Sequence, residues 1–265
     1  MKKLRIFSIL FLLLSAAAFV AFRQYRRWNS DTTAPVITCD TEELSLSASA
    51  TEEELLQGVT ASDDVSGDVS DTLVVESLSS FTSEGKRIIT YAAVDGSHNV
   101  GRAERTLVYT DYQEPVFHLT APLSYAVGDK ISPLSVITAE SPLDGDLTEQ
   151  IKYSMESSVN NMVVGNYPIE FRVMDSGGKT VYLETQVEVY EQAYKGINVS
   201  LSDYLIYLNQ GQYFDPSAYY LGADAQGELS VLSNVNTEEP GSYYVDYVVN
   251  GYGIAGKNRM IVIVV

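Results

Sequence analysis

Four aspartates in the first third of the chain have side chains that could hold a cation. They are Asp63, Asp64, Asp68 and Asp95. Ca²⁺ binds six to eight hard oxygen donors on convergent loops, and carboxylates are such donors. Aspartates are equally common as residues that cap their own turns, which requires no ion. The sequence therefore allows a calcium site in this region, with turn capping as the alternative, and indicates no other cofactor.

Acid–base and nucleophilic catalysis have few residues available in this chain. A serine or cysteine nucleophile needs a base within hydrogen-bond reach, and the chain has only two histidines to supply one, His98 and His118. His98 falls in a turn and His118 at the start of a strand in a different part of the chain. We expect both to be solvated surface residues. No catalytic residue is predicted, and the chain is expected not to be an enzyme.

The single cysteine, Cys39, excludes an intramolecular disulfide and a cysteine-based zinc site. It ends a predicted strand from Val36 to Cys39, where we place it on the face opposite Ile37. Two interpretations stay open: a small apolar residue that packs in the protein, or a thiol that pairs with another molecule.

Tyrosine is concentrated near the C-terminus, where ten of the chain's 19 tyrosines follow residue 190. Tyrosine is amphipathic and stiff, and it is enriched at binding surfaces. Some of these side chains must be core, notably Tyr243 and Tyr247. We expect an exposed subset to bind a partner, and packing is the alternative for all of them. The predicted binding subset is Tyr219, Tyr220, Tyr244 and Tyr252.

A basic, apolar leader precedes the residues considered so far. Ile6 to Phe22 carries no charge and has three basic residues on either side, a length at the lower limit for a transmembrane helix. The small residues Ala16 to Ala18 also fit the cleavage site of a signal peptide. We expect an uncleaved anchor that crosses the lipid bilayer of a cell membrane once and leaves the C-terminal domains outside. Cleavage would instead give a secreted protein.

The rest of the chain is strongly acidic. The first 30 residues contain six of the 17 basic residues and none of the 35 acidic ones. Nucleic-acid binding needs clustered Lys and Arg that face the phosphates, so this distribution excludes a nucleic-acid partner.

Three repeats follow the leader, and three marks at related spacings define them. The marks are an acidic turn (Gly67-Asp68, Gly145-Asp146, Gly227-Glu228), a glycine (Gly85, Gly165, Gly241) and a residue ten positions later (Asp95, Asp175, Gly251). Apolar residues alternate after each glycine with the period of two that a half-buried strand requires. In the third repeat this alternation puts Tyr243, Val245, Tyr247 and Val249 inward and Tyr244, Asp246, Val248 and Asn250 outward.

Short strands separated by turn signals every eight to twelve residues predict β-sandwiches. The expected fold is all-β, with three tandem immunoglobulin-like (Ig-like) β-sandwiches behind one N-terminal transmembrane helix. The expected segments are residues 1–30 for the leader, and 31–111, 112–191 and 192–265 for the three domains. Each repeat is expected to have its own core.

The repeats resemble the bacterial Ig-like domains of surface proteins and pesticidal crystal proteins, which are related to hyalin repeats. The resemblance rests on Asp31 to Thr38, Asp63 to Val69, Gly85 to Asn99, Glu114 to Val116, Asp144 to Leu147 and Gly165 to Asp175. The third repeat keeps Gly227 to Leu229 and Gly241 to Tyr243, but it lacks the entry proline and the later aspartate. The resemblance implies a surface role without shared catalytic residues.

These features and the resemblance together predict a bacterial cell-surface protein, anchored in the cell membrane, that serves in adhesion, as a spacer or in protein binding. Its partner would be a surface or envelope protein or a glycan. Two alternatives stay open: a glycan-binding module of the envelope, and a non-catalytic accessory subunit of an envelope enzyme or export complex.

Overall fold

The structure is a computed structural model that describes residues 2–28, 30–155 and 158–265, except the side chains of residues 2–6 and 26–28. Its first element is helix α1, Lys2–Trp28. Within α1, Phe7–Tyr25 is long and apolar enough to cross a membrane, with a mean hydropathy of 1.8, and none of it is buried in the protein. A signal sequence has the same length and composition. Of the predicted leader, Met1, Asn29 and the Ile6 side chain lie outside the described residues.

The first repeat is a sandwich of two sheets. Its elements are β1 Val36–Cys39, β2 Glu43–Leu46, helix α2 Glu52–Leu55, β3 Val59–Asp63, β4 Gly67–Asp68, β5 Val74–Leu78, β6 Lys86–Val94 and β7 Val100–Tyr109. One sheet has the order β1-β3-β4 and the other β2-β7-β6-β5. Strands β2 and β7 are parallel, and all other pairs are antiparallel.

The second repeat has the same topology. Its strands are β8 Val116–Leu119, β9 Ser124–Ala126, β10 Ile137–Ser141, β11 Gly145–Asp146, β12 Lys152–Ser154, β13 Gly165–Met174 and β14 Thr180–Tyr190. The sheet orders are β11-β10-β8 and β12-β13-β14-β9, with β9 parallel to β14. Each strand therefore has a counterpart at the same place in the first repeat.

The third repeat keeps this plan with one strand fewer. Its strands are β15 Val199–Leu201, β16 Leu205–Leu208, β17 Tyr220–Ala223, β18 Glu228–Ser233, β19 Gly241–Asn250 and β20 Ala255–Val264. The sheets are β15-β17 and β16-β20-β19-β18. The predicted all-β fold behind an N-terminal apolar helix is thus confirmed.

The acidic turns of the first two repeats owe their shape to glycine. Gly67 and Gly145 have φ angles of 77° and 69°, which side chains with a Cβ rarely adopt. Each glycine begins a two-residue strand, after which Val69 or Leu147 enters the core. In the third repeat the corresponding Gly227 precedes a longer strand, β18, so the same sequence mark produces different local structure there.

Apolar alternation places the core as expected in the long hairpins. In β13, Ile169, Phe171 and Val173 are buried, while Arg172 and Met174 are exposed. This is the geometry that a strand with one face on the core requires. The same pattern buries Ile89, Tyr91 and Ala93 in β6.

The strand face predicted for Cys39 was wrong. Residues two apart on a strand share a face, so Cys39 lies on the same face as Ile37, not the opposite one. Both side chains pack against the core that contains Tyr91 and Leu107. Burial raises the pKa of the Cys39 thiol above its ordinary value.

The described chain forms two compact units, one that ends at Thr110 and one from Asp111 to Val265. Within the second unit, the core of the second repeat includes Leu205 and Ile261, which belong to the third repeat. The Tyr207 hydroxyl also donates a hydrogen bond to the Phe117 carbonyl at 3.3 Å. The third repeat also has a core of its own, which includes Tyr247 and Val262. Shared apolar contacts therefore join the two repeats, and their independent folding stays a prediction.

Candidate functional site

Three carboxylates of the first repeat come together at one end of its sandwich. Asp63 ends β3, Asp95 follows β6, and Asp31 precedes β1. Each offers one oxygen, and these oxygens all lie within 4.8 Å of one another. We call these three residues the aspartate cluster. Asp63 and Asp95 were in the predicted cation set, and Asp31 was not.

Asp64 and Asp68, the other two residues of the predicted set, lie outside the aspartate cluster. Asp64 directly follows the buried Asp63 at the end of β3, and its side chain is exposed. Asp68 is also exposed, and its Oδ1 accepts a hydrogen bond from the Ser70 amide at 3.0 Å. Hydrogen bonds from Ser70 lower the pKa of Asp68. Asp68 therefore caps its own turn, which was the alternative to calcium binding.

Both oxygens of the Asp95 carboxylate accept hydrogen bonds. Its Oδ1 accepts from the amides of Ser97 and Asn99, each at 2.8 Å, and its Oδ2 accepts from Asn99 Nδ2 at 2.7 Å. Burial raises the pKa of Asp95, but hydrogen bonds from Asn99 and Ser97 outweigh it, so the pKa lies below the ordinary value. Asp95 is thus held as a buried carboxylate.

The other two members of the aspartate cluster are satisfied on one oxygen only. Asp63 Oδ1 accepts from the amides of Val65 and Ser66 at 3.0 and 2.7 Å, and Asp31 Oδ1 accepts from the Thr33 amide at 2.8 Å. The Oδ2 atoms of Asp31 and Asp63 are buried and accept no hydrogen bond. Buried oxygens without donors are uncommon in folded proteins.

The four tyrosines of the predicted binding subset lie in different environments. Tyr219 and Tyr220 are half-buried and pack against the core of the third repeat. Tyr244, in β19, lies over the Arg259 guanidinium at 4.0 Å from its ring centroid. Tyr252 lies in the turn between β19 and β20 and is fully exposed. Partner binding by all four stays a prediction.

A cleft of about 440 Å³ lies between the second and third repeats, inside the compact unit that they share. This volume lies in the range of small-ligand sites. Its polar and aromatic lining residues are Ser154, Glu170, Glu184, Gln186, Asn234, Ser242, Tyr243, Tyr244 and Arg259. We call this the inter-repeat cleft.

Two acidic side chains face each other across neighbouring strands in the inter-repeat cleft. Glu170 in β13 is the direct cross-strand partner of Glu184 in β14. Ser154 Oγ lies 3.3 Å from a Glu170 oxygen, and Glu184 is exposed. Within the described ranges, neither carboxylate makes an ion pair with a lysine, arginine or histidine. Like charges directly opposite each other on a sheet are destabilising.

The same register position differs in the other two repeats. Glu170 lies five residues before Asp175, the third mark of its repeat. At the same position in the first repeat, Thr90 is paired with Glu104. The third repeat pairs Asp246 with Arg259 at that position. The second repeat alone has two acids there, which makes the Glu170–Glu184 pair a specific feature of the inter-repeat cleft.

Arg259, which lines the inter-repeat cleft, belongs to a buried group of balanced charges. Arg259 donates to Asp246 through Nε and Nη2 at 2.6 and 2.9 Å, and Nη2 lies 2.9 Å from the Glu188 carboxylate. Arg259 Nη1 donates to Asn166 at 2.6 Å. Lys257 pairs with both Glu188 and Asp246. The Arg259 charge is therefore already compensated and does not neutralise Glu170 or Glu184.

No family model matches the chain. It is 25% identical over 198 residues to the pesticidal crystal protein Cry22Aa of Bacillus thuringiensis, a match that covers 71% of this chain and 27% of Cry22Aa. It is 23% identical over 180 residues to an uncharacterized 81.3 kDa protein of Acholeplasma phage L2, covering 62% of this chain and 22% of that protein. The chain thus spans about a quarter of each relative. The Cry22Aa match agrees with an Ig-like β-domain, and the particular repeat type stays a prediction.

The chain also matches solved structures, at low identity and low TM-score. A Clostridium perfringens ZmpB structure, described as CBM51-2 in complex with GlcNAc and INT domains, matches at 11% identity and TM-score 0.24, covering 58% of this chain and 41% of that chain. The protocadherin GammaB4 extracellular domain matches at 13% and 0.21, covering 87% and 49%. Mouse cadherin-23 EC22-24 matches at 13% and 0.20, covering 88% and 99%.

The sequence analysis missed Asp31 and the Glu170–Glu184 pair. Asp31 lies four residues before Pro35, as Asp111 lies four residues before Pro115, so the entry segment did contain a signal. Glu170 and Glu184 were hidden among 35 acidic residues. Only the hairpin register shows that they are opposite each other.

Proposed function

We propose that this chain is a membrane-anchored extracellular binding protein with no catalytic role. Its inter-repeat cleft would bind a basic side chain of a partner protein. The observation that carries the proposal is the Glu170–Glu184 pair, two carboxylates that face each other in the cleft and that form no ion pair with a basic side chain of the described chain.

A ligand ammonium or guanidinium group between these carboxylates would relieve their repulsion and gain charge-assisted hydrogen bonds from both. Clefts lined by one sign of charge also raise the local concentration of oppositely charged ligands. Because residues 31–265 carry 35 acidic and only 11 basic residues, their field would attract a basic partner. Tyr243 and the amides of Gln186 and Asn234 would contact the remainder of the ligand.

A neutral glycan is the second candidate ligand, because the inter-repeat cleft also contains hydroxyl, amide and aromatic groups. Ser242, Asn234 and Tyr243 are of the types that bind sugar hydroxyls and faces. The two candidates differ in one respect: removal of the carboxylate charges should abolish cation binding and affect glycan binding less. Salt dependence separates them further, since screening weakens the binding of a charged ligand.

The extracellular position rests on helix α1, which we propose to be an uncleaved anchor. Protease added to spheroplasts should digest the domains after α1 and leave a cytoplasmic marker intact. Mass spectrometry of the membrane-bound protein should detect peptides from residues 7–22. Protection of the domains under conditions that digest a known surface protein would contradict the extracellular position. A mature N-terminus after Ala18 would contradict the anchor.

The binding test uses the full chain in detergent micelles and two fluorescent peptides. One peptide carries Lys and Arg, and the other has the same sequence with acetyl-lysine and citrulline in their place. We expect binding of the first only, weakened at least about tenfold when Glu170→Gln and Glu184→Gln are combined, a loss of about 1.4 kcal/mol. Anisotropy titrations at 50 and 300 mM salt measure both effects.

The matched control is Glu104→Gln, because Glu104 occupies the register position of Glu184 in the first repeat. This variant removes a charge from an equivalent strand and should leave the affinity unchanged. Equal binding of the two peptides, or equal losses in the control and the double variant, would contradict the proposal. A panel of neutral oligosaccharides tests the second candidate, and saturable, salt-independent binding there would favour a glycan.

A further inference from the structure

Three features distinguish the aspartate cluster from ordinary surface acids. Its oxygens converge within 4.8 Å, Asp95 and Asp63 are only 5% and 9% exposed, and the Oδ2 atoms of Asp63 and Asp31 are buried without a hydrogen-bond donor. Among the residues that the structure describes, none of the three forms an ion pair with a basic side chain. We propose that Asp31, Asp63 and Asp95 bind a calcium ion.

The physical reason is the cost of buried charge without compensation. A buried carboxylate oxygen without a donor loses its hydration and gains nothing in return. Three carboxylates at this separation also repel one another. A divalent cation between them would supply a partner for both unsatisfied Oδ2 atoms and would offset most of the repulsion. Asp95, already fixed by Asn99, would provide a rigid third ligand.

The second repeat provides an internal comparison, because its topology puts equivalent residues at the same positions. Ser141 replaces Asp63 at the end of the corresponding strand, as the strand pairings show. Asp175, the counterpart of Asp95, accepts a hydrogen bond from the Tyr112 hydroxyl at 2.7 Å. One acid is thus absent and another has a neutral donor. The second repeat satisfies this region with its own side chains, whereas the first repeat does not.

The donor set favours calcium over other metals. It consists of carboxylate oxygens only, which suit hard cations, and the cluster contains no imidazole or thiolate for zinc or copper. Calcium accepts six to eight oxygen ligands in irregular geometry, whereas magnesium demands a nearly ideal octahedron. With three carboxylates, the affinity should lie in the range of extracellular modules, a Kd of roughly 0.1–1 mM.

This inference does not depend on the proposed function. The aspartate cluster lies in the first repeat, and the inter-repeat cleft lies in the other compact unit. Failure of peptide binding would leave the calcium proposal intact, and failure of calcium binding would leave the inter-repeat cleft intact.

The experiment measures thermal unfolding and hydrogen exchange of the full chain in detergent micelles, first with a chelator and then with CaCl₂ up to 10 mM. NaCl of equal ionic strength is the control for screening. We expect calcium to raise the melting temperature of the first unit by about 5 °C or more. Amide exchange should slow in β3 and in the β6–β7 hairpin. Equal melting temperatures and exchange in CaCl₂ and NaCl would overturn the proposal.

Asp63→Ser is the decisive variant, because it copies the second repeat. Ser141 Oγ accepts a hydrogen bond from the amide of Asp144, three residues later. Asp63 Oδ1 accepts the equivalent hydrogen bond from the amide of Ser66. A serine at position 63 should therefore keep the hydrogen bond of the turn. We expect this variant to lose the response to calcium and to be at least as stable as the parent in chelator. Asp63→Asn serves if the serine variant does not fold.

Asp64→Asn is the matched control, since it removes the neighbouring exposed charge from outside the aspartate cluster. It should keep the full calcium response. A calcium response that survives in both folded Asp63 variants, or that disappears in Asp64→Asn alone, would overturn the assignment to Asp31, Asp63 and Asp95.

Discussion

The guanidinium of Arg259 lies 2.9 Å from the carboxylate of Glu188, although the two residues belong to different sequence repeats. Both side chains are almost completely buried. Removal of one partner from such a pair leaves the other as an uncompensated buried charge, which is more damaging than the absence of both. This contact therefore makes the second and third repeats depend on each other.

The first prediction concerns this pair. Arg259→Met keeps much of the side-chain volume but leaves Glu188 and Asp246 with one cation fewer, and should destabilise the second unit by about 3–5 kcal/mol. Arg102→Met is the control, because Arg102 pairs with Glu76 on an exposed surface, where an ion pair contributes about 0–1 kcal/mol. Urea unfolding followed by hydrogen-exchange mass spectrometry resolves the two units. Unchanged protection in β13 and β20 of Arg259→Met would refute the coupling.

The second prediction separates the two faces of β20. Ile261 packs in the core of the second repeat, whereas its neighbour Val262 packs in the core of the third. Ile261→Ala should destabilise by about 2–5 kcal/mol and increase amide exchange in β13. Val262→Ala should increase exchange in β19 and leave β13 much less affected. If the two variants increased amide exchange in β13 equally, the specific packing of Ile261 against the second repeat would be refuted.

The third prediction is a loss of stability at alkaline pH. Burial raises the pKa of Tyr207 to about 12, against about 10 in an unfolded chain. The unfolded state then loses this proton first, so stability is intact below pH 10 and falls as the pH rises toward 12. Burial also raises the pKa of Tyr247, which adds to the effect.

Urea midpoints of the second unit measured from pH 8 to pH 11.5 test this dependence. The slope of the unfolding free energy against pH measures the number of protons released on unfolding. Tyr207→Phe should reduce this number by up to about one. Tyr252→Phe, at a fully exposed side chain, should leave the slope as in the parent. If Tyr207→Phe and the parent showed the same pH dependence of stability, the raised pKa of Tyr207 would be refuted.

The fourth prediction concerns the reactivity of Cys39. Its thiol packs beside the core of the first repeat, and burial raises its pKa, so little thiolate is present at neutral pH. Iodoacetamide at pH 8 should modify the folded protein more slowly than it modifies glutathione. Modification should become rapid in urea. Fast modification of the folded chain, or a covalent dimer under non-reducing conditions, would support the alternative in which Cys39 pairs with another molecule.

The hairpins could be predicted because alternation is a local property. Phe171 and Tyr247 are buried where a period of two places them, and strand geometry alone accounts for this. Asp246 differs, since alternation puts it on the outer face and the structure buries it to 8% exposure. A sequence pattern identifies the two faces of a strand, but it contains no information about which neighbour covers the outer face.

The aspartate cluster shows the same limit. Asp63 and Asp64 are adjacent in sequence, yet only Asp63 has its carboxylate beside Asp95. Asp31 joins them from 32 residues away, a distance that no local pattern links. Nearness in sequence therefore suggested Asp64 and Asp68 as cation ligands, although both lie in the turn and outside the aspartate cluster.

Asp31 lies only three residues after the end of α1 at Trp28. A fully extended chain of three residues spans about 10 Å, so the Asp31 Cα stays within about 10 Å of the Trp28 Cα at the helix terminus. If α1 crosses the bilayer, the ion site would lie within about two Debye lengths of the lipid headgroups. The surface potential of the adjacent leaflet extends over that distance, so occupancy of the site would depend on the lipid composition of this leaflet as well as on the calcium content of the medium.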